Sequence, residues 1–329
     1  MFPNRAAGLY TGTIEGGTVA PWRIGPRVGA GRAGSVAAAE SDLLPRGAMP
    51  YLLPGKRVAT VLAIGLLLLL LVAAANRGAA SVASPRARVV VTTTMMGAAV
   101  ADLAFDWCEP LPLYPSAGCP GHFDLTPRTM ADVEDAALVL VHDYQEPLRV
   151  RVAAAGRPWR SLPTTGTQAL PGPYLDLCAE VARALAAAFP IHAPALQARL
   201  DDLRRTLPAD AERHRQHAEL VVRGRCCLVA TFQADFVFWA GGRPAVTFDR
   251  SEEVSLREMD RLARQSRAAG VTAIVGNEPW GDREARALGA ALGVPWTLLG
   301  NYPEAAEPGA WLRLVRTNCE RLVELAGDQ

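Results

Sequence analysis

The chain has 329 residues, half of them apolar and a fifth charged, which is room for two domains or for one domain and a targeting region. A net charge of +1 supplies no field to gather nucleic acid or an acidic substrate. Six scattered cysteines with no CxxC pair exclude a disulfide-built scaffold, a zinc ribbon and a thioredoxin-type motif.

Residues 1–57 are rich in Gly, Ala, Arg and Pro without an apolar period, and read as a disordered or mis-started leader, with Met49 an alternative start. Val58–Ala75 follows Lys56-Arg57 as a run of eighteen uncharged residues. It predicts a signal peptide, for which Ala73-Ala74-Ala75 offers small residues at the cleavage point, or a retained membrane anchor. Either outcome puts the rest of the chain outside the cytoplasmic membrane. Residues 76–88 read as a linker.

The folded part opens with the β-branched run Val89-Val-Val-Thr-Thr-Thr, a buried strand, followed by a small apolar helix from Met95. Residues 106–126 read as a loop. Thr126-Pro127 is a helix start, since Thr caps and Pro is tolerated at the first helical position. Ala137–Val141 is the next buried strand. Prolines mark loops between Arg149 and Pro173, and Tyr174–Phe189 is a helix ended by Pro190. Leu196, Leu200, Leu203 and Leu207 recur at helical spacing on a charged background, which predicts a long linker helix over 193–221, with a bend expected at Pro208. Beyond it, Cys226–Thr231, Val271–Val275 and Val294–Leu299 read as strands. Helices are expected from Phe236, over Glu253–Ala269, over Asp282–Leu292 and over Glu307–Leu325.

A helix containing Met130, a strand and Glu146 are echoed by a helix containing Met259, a strand and Glu278. The expected fold class is therefore α/β: an N-terminal lobe (89–192) and a C-terminal lobe (222–329), pseudo-symmetric, joined by a long helix, with a ligand cleft between them.

Several segments carry a resemblance to one family. They are Val89-Val-Val-Thr-Thr-Thr-Met-Met, His122-Phe-Asp-Leu-Thr-Pro127, Ala136–Val141, Tyr174-Leu-Asp176, Ala230-Thr-Phe-Gln-Ala-Asp-Phe236, Asn277-Glu278-Pro279 and Trp296-Thr-Leu-Leu-Gly300. Together, across Val89–Leu325, the chain resembles the metal-type (zinc/manganese) substrate-binding proteins of ABC transporters. The resemblance implies an extracytoplasmic, monomeric receptor that captures a divalent metal ion, zinc or manganese, as transported ligand. Its partners would be a permease and an ATPase in the cytoplasmic membrane, with no nucleic acid, organic cofactor or catalytic residue. It also implies that His122 is a metal ligand.

The pattern departs from the family elsewhere. The second family His falls near Gly172, the third near Gln233 and the late Asp near Thr297, so the ligand set is degenerate. Glu278, after a strand, and Gln233, an oxygen donor for a hard ion or an organic solute, are the further candidates. Cys119 either gives a thiolate to the same ion, pairs with Cys108 in a disulfide, or stays free. His142 and Asp143 end a strand near the cleft and read as supporting or surface groups. His214 and His217 share a helix face flanked by charges and read as solvated. An organic solute or metal chelate in the same cleft is the alternative ligand. A hydrolase using Cys226 or Cys227 has no nucleophile elbow, phosphate loop or HExxH helix behind it, and a non-catalytic interaction protein remains beside it.

Overall fold

The computed structural model describes residues 65, 86–114, 126–249, 255–278 and 280–327. Two units divide the chain, Met1–Asn76 and Arg77–Gln329. Of the first, only Gly65 is described, helical and exposed. The leader and the segment Val58–Ala75 thus lie, Gly65 aside, outside the described residues. Among the described residues, no helix is long and apolar enough to cross a membrane.

The second unit contains two four-stranded sheets, both fully parallel. The first comprises β1 (Ala87–Val91), β2 (Cys108–Pro112), β3 (Leu138–His142) and β4 (Trp159–Leu162), in the spatial order β2-β1-β3-β4. The second comprises β5 (Cys226–Ala230), β6 (Arg243–Phe248), β7 (Ala273–Glu278) and β8 (Trp296–Gly300), in the order β6-β5-β7-β8. The orders are identical. In each sheet the chain lays its second strand on one side of the first and its third on the other, so a topological switch point opens between β1 and β3 and again between β5 and β7.

Parallel strands need crossovers, and helices supply them. In the first lobe these are α1 (Thr94–Ala104), α2 (Pro127–Glu134) and α3 (Glu146–Ala154), followed by α4 (Pro171–Ala188). The second lobe has α6 (Ala234–Trp239), α7 (Leu256–Ala268), α8 (Asp282–Leu292) and α9 (Ala310–Gly327). Caps define several starts: Thr93 Oγ1 accepts from Met96 N, Thr126 Oγ1 from Thr129 N and Ser255 Oγ from Glu258 N, each at 3.2 Å. Gly281, at φ 139°, turns the chain from β7 into α8 where any Cβ would meet the Asn277 backbone.

Between the lobes runs α5 (Ala193–Val222), thirty residues and so about 45 Å long. Pro208 lies inside it, tolerated within one continuous helix. Its buried stripe includes Leu196, Leu200, Leu207, Ala211, Ala218 and Val222, and the helix packs against both α4 and α9. One hydrophobic core consequently passes through both lobes, including Val89, Leu140, Tyr174, Leu200, Val229 and Trp311.

Four elements depart from the sequence reading. β2 lies within the expected loop, α3 and β4 lie in the proline-marked stretch, and β6 was not expected. The three strands are all sheet edges. An edge tolerates prolines and polar residues that a central strand does not, which erases the apolar run by which strands are read; β2 is Cys-Glu-Pro-Leu-Pro.

Candidate ligand cleft

The carboxyl ends of both sheets carry polar side chains, arranged alike in the two lobes. In the first, Thr93, just beyond β1, meets the last residue of β3: Thr93 Oγ1 and His142 Nε2 are 3.0 Å apart. Thr164, just beyond β4, holds the other ring nitrogen, with Oγ1 3.1 Å from His142 Nδ1. In the second, Gln233 follows β5, and its Nε2 donates to Asn277 Oδ1 on β7 at 2.9 Å and to Asn301 Oδ1 beyond β8 at 2.6 Å. The same Nε2 reaches the Leu299 carbonyl at 3.1 Å. Each lobe therefore ties its switch point shut with one side-chain bond across it and a second bond to the outer strand.

His142 is fully buried. Burial lowers its pKa to about 4, against a smaller upward pull from Asp143, so the ring is neutral at physiological pH. A neutral imidazole has one donor and one acceptor nitrogen, and the two threonine hydroxyls match them. With both nitrogens engaged, His142 is a structural post. Its backbone N donates to Gln145 Oε1 at 3.2 Å. Two buried amide atoms at these strand ends have no hydrogen-bond partner among the described residues: Nε2 of Gln145, 4% exposed, and Oε1 of Gln233, 1% exposed.

Tyr144 stacks on His142, with ring centroids 5.1 Å apart and planes 16° from parallel. Burial, then the phenol of Tyr302, to which it is hydrogen-bonded, then Tyr114 and Asp143 push its pKa up. Tyr302 follows β8, so this contact joins the lobes.

The sequence candidates are distributed as follows. Gln233 lies at the second switch point, buried, with its amide oxygen unpartnered. Glu278 ends β7, exposed, and its Oε2 accepts from Arg321 Nη1 of α9 at 2.5 Å. Cys119 and His122 lie outside the described residues. Cys108 is a free, buried thiol, its pKa pushed up by burial to about 12. Gly172 falls in the first turn of α4 and Thr297 inside β8. His214 is half-buried on α5; burial, then Arg316, lowers its pKa. Among the described residues, no three of His, Cys, Asp and Glu are grouped to hold a metal ion. Sequence reasoning missed Thr93, Thr164, Asn301, Tyr144 and Tyr302. The available signal was their place, one to three residues beyond a strand.

No protein-family model matches the chain, and no curated protein matches its sequence. Solved structures do. A periplasmic metal-binding protein from Candidatus Liberibacter asiaticus superposes with TM-score 0.62 at 12% identity, over 73% of this chain and 100% of that one. Its Mn-bound form gives 0.59 at 12% identity, over 73% and 99%. A ZnuA deletion mutant with zinc bound gives 0.58 at 16% identity, over 74% and 99%. This chain has their two-lobed fold. The likeness spans almost the whole of each neighbour, so both sheets, both switch points and the connecting helix fall within it.

Proposed function

We propose that the protein is the extracytoplasmic solute-binding component of an ABC transporter, capturing a divalent metal ion, zinc or manganese, for import. The observation that supports this most is the repeated switch point: two parallel sheets in the same strand order, joined by α5, within a fold shared with periplasmic metal-binding proteins. Open α/β sheets bind ligands at the carboxyl ends of their strands, at such points. In this reading His122 is the first ligand, Cys119 and Gln233 supply further donors, and Glu278 joins by exchanging its bond to Arg321 for one to the ion. The receptor binds and releases without chemistry, hands the ion to a permease and its ATPase, and reaches its compartment by export or an N-terminal anchor.

The test is metal content and thermal shift of the full-length protein, wild type against His122→Ala. Zinc or manganese should co-purify with or stabilise the wild type, and the variant should lose that response. Protein that carries no metal and shows no shift with either ion overturns the reading.

One observation favours a second ligand class, an organic solute or metal chelate. The buried, unpartnered Gln145 Nε2 and Gln233 Oε1 are a neutral donor and a neutral acceptor, as an uncharged polar solute requires. Stabilisation by a small molecule in the presence of a chelator would select it.

A further inference from the structure

We propose that the N-terminal lobe rests on a lipid bilayer through an aromatic patch formed by Phe105, Trp107 and Ile191, where the chain enters the fold. The inference rests on the reading of Val58–Ala75 as a membrane anchor, and adds to it a second, weaker contact with the same surface.

Singly exposed apolar side chains need no explanation, but these belong to one connected set. Two segments build it: the turn from Phe105 to Trp107 between α1 and β2, and the 3-10 turn Pro190–His192 between α4 and α5. The Trp107 ring stacks on His192, with centroids 3.9 Å apart and planes 3° from parallel, and meets Phe189 edge-on at 5.2 Å. Trp107 and Phe189 also pack against the hydrophobic core, so the patch has a fixed base. Beside them Phe105 is 40% exposed, and Ile191, at 86%, is the most exposed large apolar side chain among the described residues. Asp106 and Arg199, paired at 3.3 Å, give the patch a polar rim. Apolar tips beside half-buried Trp and His rings suit the headgroup region, where such rings turn their bodies to the acyl chains and their nitrogens to water.

The chain entry is what selects a bilayer as the occupant. Arg86 belongs to the patch: its Nε and Nη2 donate to the Phe105 carbonyl at 3.1 and 2.6 Å, and its guanidinium lies 4.1 Å from the centre of the Phe105 ring. Ala87 N donates to the Trp107 carbonyl at 2.9 Å. Only residues 76–85 separate Arg86 from the apolar run that ends at Ala75, a tether of at most about 40 Å. Two apolar side chains are too little to hold a free protein at a membrane, since stable attachment takes two signals. A short tether supplies the other, because it raises the effective concentration of the patch at the surface to the order of millimolar.

The test reconstitutes the full-length protein in phosphatidylcholine–phosphatidylglycerol vesicles that contain brominated phosphatidylcholine, a quencher of tryptophan at the acyl boundary. Subtracting the emission of Trp107→Phe isolates Trp107. That component should be quenched in the wild type and lose its quenching in Ile191→Glu, a change so exposed that circular dichroism should not move. A Trp107 component that the lipid does not quench, or quenches equally in Ile191→Glu, overturns the proposal. If Ile191→Glu instead breaks up a concentration-dependent dimer, the face belongs to a second copy and the proposal fails. Alkaline carbonate extraction reads the anchor separately. Protein that resists extraction without Trp107 quenching keeps the anchor and sinks only the patch, whereas protein that carbonate releases sinks the anchor and the tethered contact together.

Discussion

His142 shows what one buried ring demands of its neighbours. An imidazole fully buried at the carboxyl end of a parallel sheet has two polar nitrogens to satisfy, and only partners on both sides keep it from destabilising the fold. Thr93 and Thr164 provide them. The arrangement has a pH signature. The folded pKa of about 4 lies below the ordinary 6.5, so between these values the unfolded chain binds the proton and the folded chain does not. The stability this ring contributes is complete above pH 6.5 and is lost as pH falls toward 4, by about 3 kcal/mol in all. Urea unfolding at a series of pH values should show His142→Gln losing less stability than wild type across that window, even if it starts lower. Parallel curves for the two proteins would refute the assignment.

At the scale of elements, α9 and β8 are joined by Asn318, whose Oδ1 accepts from Gly300 N and whose Nδ2 donates to Gly300 O. Asn318→Ala leaves both backbone groups buried and unpaired, which should cost about 2–4 kcal/mol. Asn318→Asp keeps only the acceptor and should fall between. Denaturation midpoints check the ranking, and an Ala variant as stable as wild type would show that water replaces the amide. Elements of this kind differ in how far the sequence discloses them. The central strands β1, β3, β5 and β7 are buried on both faces, so their unbroken apolar runs are readable. Thr126-Pro127 announces α2 by its cap, and Asp282–Leu292 was read to the residue. Of the four edge strands β8 was readable and β2, β4 and β6 were not, because pairing on one side alone leaves the composition of an edge free. For the cleft, Gln233 and Glu278 were placed beyond strands by resemblance, but their surroundings were not. Whether a carboxylate turns toward a cleft or toward an arginine such as Arg321, forty-three positions away, depends on packing that local pattern does not carry.

At the scale of the molecule, the lobes are fastened by a further set of polar and aromatic contacts. Asp102, at the end of α1, accepts from Gly309 N and from Tyr174 OH, both at 2.7 Å, and Tyr174 stacks on Trp311 with centroids 4.7 Å apart. Trp311 Nε1 donates to the Gln168 carbonyl at 2.8 Å, and Thr167 Oγ1 to Asp235 Oδ2 at 2.6 Å. Gly97 on α1 admits Ala306 so closely that a Cβ there would collide with it. Burial raises the Asp102 carboxyl above its ordinary pKa, while Gly309 N–H, Tyr174 and Arg313 pull it back. Together with the shared core along α5, these bonds make the lobes one folding unit and leave little freedom to swing apart. Unfolding in urea should accordingly be a single transition with coincident fluorescence and circular dichroism. Asp102→Ala, which strands the Gly309 N–H and leaves the Tyr174 hydroxyl only Cys178, should lower stability by about 2–3 kcal/mol and separate the two signals as the lobes uncouple. If the variant instead unfolds in one step at the wild-type midpoint, the fastening lies elsewhere, and α5 with its apolar stripe alone holds the two sheets together.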